Sequence, residues 1–164
     1  MILLAFLAQT LRIVIPYLLA AAGGVMSERV GVIALTLEGF MLSGAFATAV
    51  GSHAFGSPWA GLVCGLLGGM ALSLLHALAV VRFRADQVVV GVALNLLAVG
   101  ATRFFLRFAF DSSSNSPRVP GFGGEGVGGG ELGGLLASFA NPLVWIGLVT
   151  VPLVALLLYR TPFG

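Results

Sequence analysis

Glu38 and Asn95 are the informative polar side chains inside the long apolar stretches of this chain. Each lies about seven residues into its stretch, so at a helical rise of about 1.5 Å per residue each would sit roughly 10 Å deep. A carboxylate or an amide at such a depth in a bilayer is costly, and it faces protein or a water-filled path. Two roles fit the pair. It lines or gates a translocation path, or it is hydrogen-bonding glue between helices, worth about 1 kcal/mol or less. Asn95 shares one helical stripe with Gln87, Gly91, Arg103 and Arg107. Gln87 therefore joins Glu38 and Asn95 as a candidate pathway or gate residue.

The other reactive side chains form no catalytic set, and the chain reads as a non-enzyme. His53 and His76 have no Cys or carboxylate at metal-ligand spacing, so no metal site is expected. His53 reads as an interfacial residue and His76 as a polar contact on a helix face. The eight basic residues are all Arg. Without Lys there is no Walker lysine, and any ATP must be bound by another chain. No cofactor is expected in this one. The single Cys64 excludes an intrachain disulfide and reads as a small packing residue. A net charge of +2 is too dilute for a nucleic-acid surface. Gly121, Gly123 and Gly126 match G-x-G-x-x-G, but no strand precedes them and no apolar helix follows directly, so the dinucleotide reading fails.

The elements that must position these residues are membrane helices. The chain is 59% hydrophobic and 9% charged, whereas a soluble domain carries about 25% charged residues. Mean hydropathy is +1.08. Five apolar segments, 7–26, 32–50, 58–81, 88–108 and 143–159, each approach the ~20 residues a spanning helix needs. The predicted fold is all-α: one polytopic membrane domain over 1–164, a helical bundle of about five transmembrane helices. No basic residue precedes the first apolar stretch and Arg12 interrupts it, so it reads as a retained span and not a cleaved signal. Arg12 can snorkel to the interface, while Pro16 suggests a kink or a broken first span. The Gly-, Ser- and Pro-rich stretch 109–141 cannot meet lipid as irregular backbone, and it is expected outside the membrane.

Small residues recur at every fourth position of the third segment: Ser57, Gly61, Gly65, Gly69, Ser73 and Ala77. The second segment repeats the pattern with Gly39, Ser43, Ala47 and Gly51. Such ladders let helix backbones approach closely. Gly61, Gly65, Gly69, Gly39 and Ser43 are therefore the expected packing residues. Gly68, one position off the ladder, is expected to tolerate bulk. The short connector bearing Arg82 and Arg84 favours the cytoplasm under the positive-inside rule, which puts the N-terminus and 109–141 outside.

Several stretches resemble bacterial ABC importer permeases of the nucleoside and simple-sugar uptake group, within the branched-chain-permease-like superfamily. These are Leu11-Arg12 through Pro16, then Gly23-Gly24-Val25-Met26-Ser27-Glu28-Arg29, and Leu37-Glu38-Gly39-Phe40-Met41. Ala85-Asp86-Gln87-Val88-Val89-Val90-Gly91 followed by Ala93-Leu94-Asn95 forms a second signature. Tyr159-Arg160-Thr161-Pro162-Phe163-Gly164 is similar to the lead into that family's coupling loop. The chain departs at Val30, Ala34 and Leu35-Thr36, where the family usually has Ser, Asn and Ile-Gly; this bears on solute identity more than on fold. The resemblance implies a bacterial inner-membrane subunit that ends ahead of the coupling helix. It also implies three partners: a second permease subunit, a cytoplasmic ABC ATPase that binds ATP, and an extracytoplasmic substrate-binding protein. The rival readings are a permease for another solute, such as branched-chain amino acids, and a non-transporting membrane anchor.

Overall fold

The computed structural model describes residues 2–111, 116, 122 and 141–160. Five α-helices account for nearly all of them: α1 Ile2–Arg29, α2 Leu37–Phe55, α3 Pro58–Ala77, α4 Gln87–Phe110 and α5 Pro142–Arg160. A π-helical turn, Leu78–Arg82, extends α3. No strand occurs among the described residues. Pro58–Arg82, Gln87–Phe110 and Pro142–Arg160 are long and apolar enough to cross a membrane. Large apolar side chains such as Leu66, Met70, Phe104, Phe108 and Leu156 are exposed. That surface suits lipid, and the architecture is a helical membrane bundle.

The helices fall into two compact units. The first holds α1 and α5. Gly147 lets them meet, since a Cβ there would come within 2.6 Å of Ile15 Cγ2. Further along, the Arg29 guanidinium lies 5.4 Å from the centre of the Tyr159 ring, a cation–π pair. Both contacts advance in the same chain direction, so α1 and α5 run parallel.

The second unit holds α2, α3 and α4. Gly56, at φ +61, ends α2 in the left-handed conformation that Gly adopts without a Cβ penalty. Pro58 then opens α3 where its missing N–H costs nothing. The two helices run antiparallel through small residues: Gly61 packs on Ser52, Gly65 on Thr48 and Gly68 on Ala47.

This interface corrects the expected ladder. A Cβ on Gly68 would lie 2.5 Å from Ala47 Cβ, whereas one on Gly69 would meet only the Phe40 carbonyl, at 3.6 Å. Gly68 is thus a contact residue and Gly69 is at the margin. The reason is the 3.6-residue turn: positions four apart drift by about 40° per step, so a contact line must step back to i+7. Gly39 faces α4 as well as α3, beside Asn95, Ala98 and Leu72. Ser43 returns its hydroxyl to the Phe40 carbonyl at 3.0 Å, while its own carbonyl faces Gly68.

Helix α4 runs parallel to α2. The pairs Leu35/Gly91 and Gly39/Asn95 advance together, as do the ring contacts Phe46/Phe105 and His53/Phe110, at 6.1 and 5.1 Å between centroids. Asp86 caps α4, its Oδ1 accepting from the Val88 and Val89 N–H groups at 2.8 and 3.2 Å. The buried face of α4 is Gly91, Leu94, Ala98 and Thr102.

Two helix starts differ from expectation. The first begins at Ile2, earlier than residue 7, and the second begins at Leu37, later than residue 32. Residues 30–36 form no helix. The expected loop 109–141 gives its first two residues to α4. Most of its remainder lies outside the described residues, including Gly121, Gly123 and Gly126, as does the stretch from Thr161 to Gly164.

Candidate functional site

The break at 30–36 is where two of the sequence-predicted polar residues, Gln87 and Asn95, converge. Gly31 turns the chain at φ +82, a conformation Gly adopts at little steric cost. From there α4 acts as a template. Gln87 Oε1 accepts the Ile33 N–H at 2.8 Å, and Gln87 Nε2 donates to the Gly31 carbonyl at 3.2 Å. One helical turn on, Gly91 makes room for Leu35, whose Cβ would lie 2.8 Å from a Cβ placed there. Another turn on, Asn95 Oδ1 accepts the Gly39 N–H at 2.8 Å, and Asn95 Nδ2 donates to the Leu35 carbonyl at 3.1 Å.

The partners of Asn95 are informative. Gly39 N–H and Leu35 C=O stand four residues apart, the spacing of one α-helical hydrogen bond. Asn95 inserts its amide between them and takes the place of that rung. A side chain wedged into the i→i−4 ladder is a recognised cause of a helix break. An amide is required, because one end must accept and the other donate.

Thr36 completes the arrangement from the other side. It occupies the N-cap position of α2, yet its side chain makes no cap bond. Its hydroxyl instead lies 2.9 Å from Nδ1 of His76 on α3, and both residues are buried. The start of α2 is therefore held from α3 and α4, and none of its capping is its own. Irregular backbone at membrane depth is tolerated where protein holds it or where it lines a cavity.

The structure separates the expected trio. Gln87 and Asn95 both bind backbone of the broken segment. Glu38 is exposed and does not face the interior of this chain as expected. Because α2 starts at Leu37, Glu38 sits in the first turn, not two turns in; Gly39 takes the α4-facing position, and the next residue back points about 100° away. A first-turn carboxylate is favoured there by the positive end of the helix dipole. His53 is exposed near the end of α2, while Arg103 and Arg107 are exposed on α4. Sequence reasoning missed Thr36 and His76 as a pair. The available signal was an N-cap residue type at Thr36 and a histidine in an otherwise uncharged α3. No group of three or more metal-ligating side chains occurs among the described residues.

A family model described as "Branched-chain amino acid transport system / permease component" matches residues 6–164. The guanosine ABC transporter permease protein NupQ of Bacillus subtilis is 35% identical over 99% of this chain and 54% of its own length. The nucleoside ABC transporter permease protein NupC of Lactococcus lactis is 42% identical over 56% of this chain and 31% of its own. The putative glucose ABC transporter permease protein TsgC13 of Haloferax volcanii is 43% identical over 54% of this chain and 27% of its own. The chain thus spans about half the length of the Bacillus relative and less of the other two. No solved structure matches. With the family model matched along all but its first five residues, this helical chain belongs to the permease-component family of branched-chain amino acid transport systems.

Proposed function

We propose that the chain provides part of the solute pathway of an ABC importer for nucleosides or simple sugars, in a bacterial plasma membrane. The observation that carries this reading is 35% identity with a guanosine permease along 99% of the chain. ATP is bound by a separate cytoplasmic ATPase, and solute arrives from an extracytoplasmic binding protein. A second permease subunit completes the path. Within this chain the break before α2 is the element that meets solute. Gln87 and Asn95 hold it in place, and exposed Glu38 at its end offers a carboxylate to hydroxyl or N–H groups of the passing solute.

The test is uptake of labelled guanosine by cells that lack their own nucleoside importers, expressing the full-length gene with its ATPase and binding-protein genes. Guanosine uptake that unlabelled leucine does not compete is the expected result. Leucine uptake without guanosine uptake would favour the second reading, a branched-chain amino acid permease, which the family description supports. Uptake of neither, and of no simple sugar such as glucose, with all partners present, would leave a non-transporting membrane subunit.

A further inference from the structure

His76 has one ring nitrogen engaged and one bare. The residue is 4% exposed, Nδ1 is bonded to Thr36, and the ring stands edge-on to Phe40 with centroids 5.9 Å apart at 84°. Thr36 and Phe40 both belong to the opening turn of α2, so the imidazole is seated against that turn. Nε2 is buried as well, and it has no hydrogen-bond partner.

Neither neutral tautomer cures this. If Nδ1 accepts from the Thr36 hydroxyl, Nε2 carries the proton and is an unpaired donor. If Nδ1 donates to Thr36 Oγ1, Nε2 is an unpaired acceptor. A buried polar atom without a partner calls for a specific explanation, of which a bound water is the commonest. Water also fits the chemistry, since it can donate or accept and so serves either tautomer. A buried water needs further polar partners. The first turn of α2 offers candidates: the Leu37 and Glu38 N–H groups have no intrahelical acceptor, while those of Gly39 and Phe40 are taken by Asn95 and Thr36.

We propose that His76 Nε2 is one pole of a buried polar site that holds a single water molecule beneath the first turn of α2. That water hydrates the broken end of α2 from within the protein. It allows the Thr36–His76 bond to lengthen or reform without leaving the imidazole bare.

The test reads the folded full chain and needs no transport. Histidine rings are labelled with nitrogen-15 in a His53→Gln background and the protein is placed in lipid nanodiscs. The expected result is a hydrogen-bonded Nε2 resonance with magnetisation transfer from water to a ring proton of His76. In a Thr36→Val variant the Nδ1 resonance should move while the transfer from water persists. If His53→Gln does not fold, the wild type serves, because exposed His53 is broadened by a water-soluble paramagnetic reagent and buried His76 is not. An Nε2 resonance typical of a nitrogen without a hydrogen bond, with no transfer from water, overturns the proposal.

Discussion

Asn95→Leu tests the wedge at the start of α2. The substitution keeps roughly the same bulk and removes both halves of the amide. Gly39 N–H then loses its 2.8 Å partner, and the Leu35 carbonyl its 3.1 Å partner. At about 0.5–1.5 kcal/mol net for each bond, the first turn of α2 should weaken by roughly 1–3 kcal/mol. That corresponds to about a 5–150-fold shift in a local opening equilibrium. Amide hydrogen exchange of Gly39 in detergent or nanodiscs reads this directly, and it should speed up within that range. Asn95→Asp keeps an acceptor for Gly39 but sets a second oxygen against the Leu35 carbonyl. Protection at Gly39 should then survive while the protein is destabilised overall. The reasoning fails if Gly39 stays equally protected in Asn95→Leu. Gly39 N–H and Leu35 C=O would then be closing their own helical rung although Gln87 and His76 still hold residues 31–36, and the Asn95 bonds would add nothing to the start of α2.

Further outcomes are expected elsewhere. Gly65→Leu and Gly68→Leu should both cut the yield of folded protein, by overpacking worth about 1–3 kcal/mol, whereas Gly69→Leu should be tolerated; equal behaviour at all three positions on a size-exclusion profile would contradict the interface described. Asp86→Ala removes the cap of α4 and should cost about 0.5–2 kcal/mol in an unfolding titration. For orientation, an impermeant thiol reagent in a Cys64→Ser background should reach Asp111→Cys from outside and Ala85→Cys only from the cytoplasm; the reverse pattern would invert the topology. In the complete transporter, Glu38→Leu should lower uptake per folded molecule more than expression, with Glu38→Gln retaining part of the activity. Wild-type uptake by Glu38→Leu would remove Glu38 from the solute path.

Three of the five helices were legible almost to the residue. The third, fourth and fifth apolar segments, 58–81, 88–108 and 143–159, became Pro58–Arg82, Gln87–Phe110 and Pro142–Arg160. Pro58 and Asp86 mark two of those starts with local chemistry. The second helix was misread because Val32, Ile33, Ala34 and Leu35 continue the apolar pattern and no Pro or Gly interrupts them. Hydropathy reports which residues tolerate lipid; it is blind to a break imposed by side chains more than fifty positions away. The Gln87, Gly91 and Asn95 stripe was visible in sequence, but its partners were not. Glu38 was misplaced for the same reason, since its depth was counted from a helix start that does not exist. The small-residue ladder located the α2–α3 interface and erred by one residue at its far end, where a four-residue ruler outruns the helix.

The substitution of a backbone rung by the Asn95 amide has a consequence for biosynthesis. The chain is made from its N-terminus, so α2 enters the bilayer before α3 and α4 exist. At that stage neither the amides of Gln87 and Asn95 nor the His76 ring is available to hold residues 30–36. Bare backbone in lipid closes its own hydrogen bonds, and Leu35 C=O and Gly39 N–H have the spacing to pair. The newborn second helix should therefore run continuous through residue 35 and break only when α4 arrives and its amides compete for those groups. A chain stopped before Gln87 should show helical protection across 33–39, which the finished protein gives up.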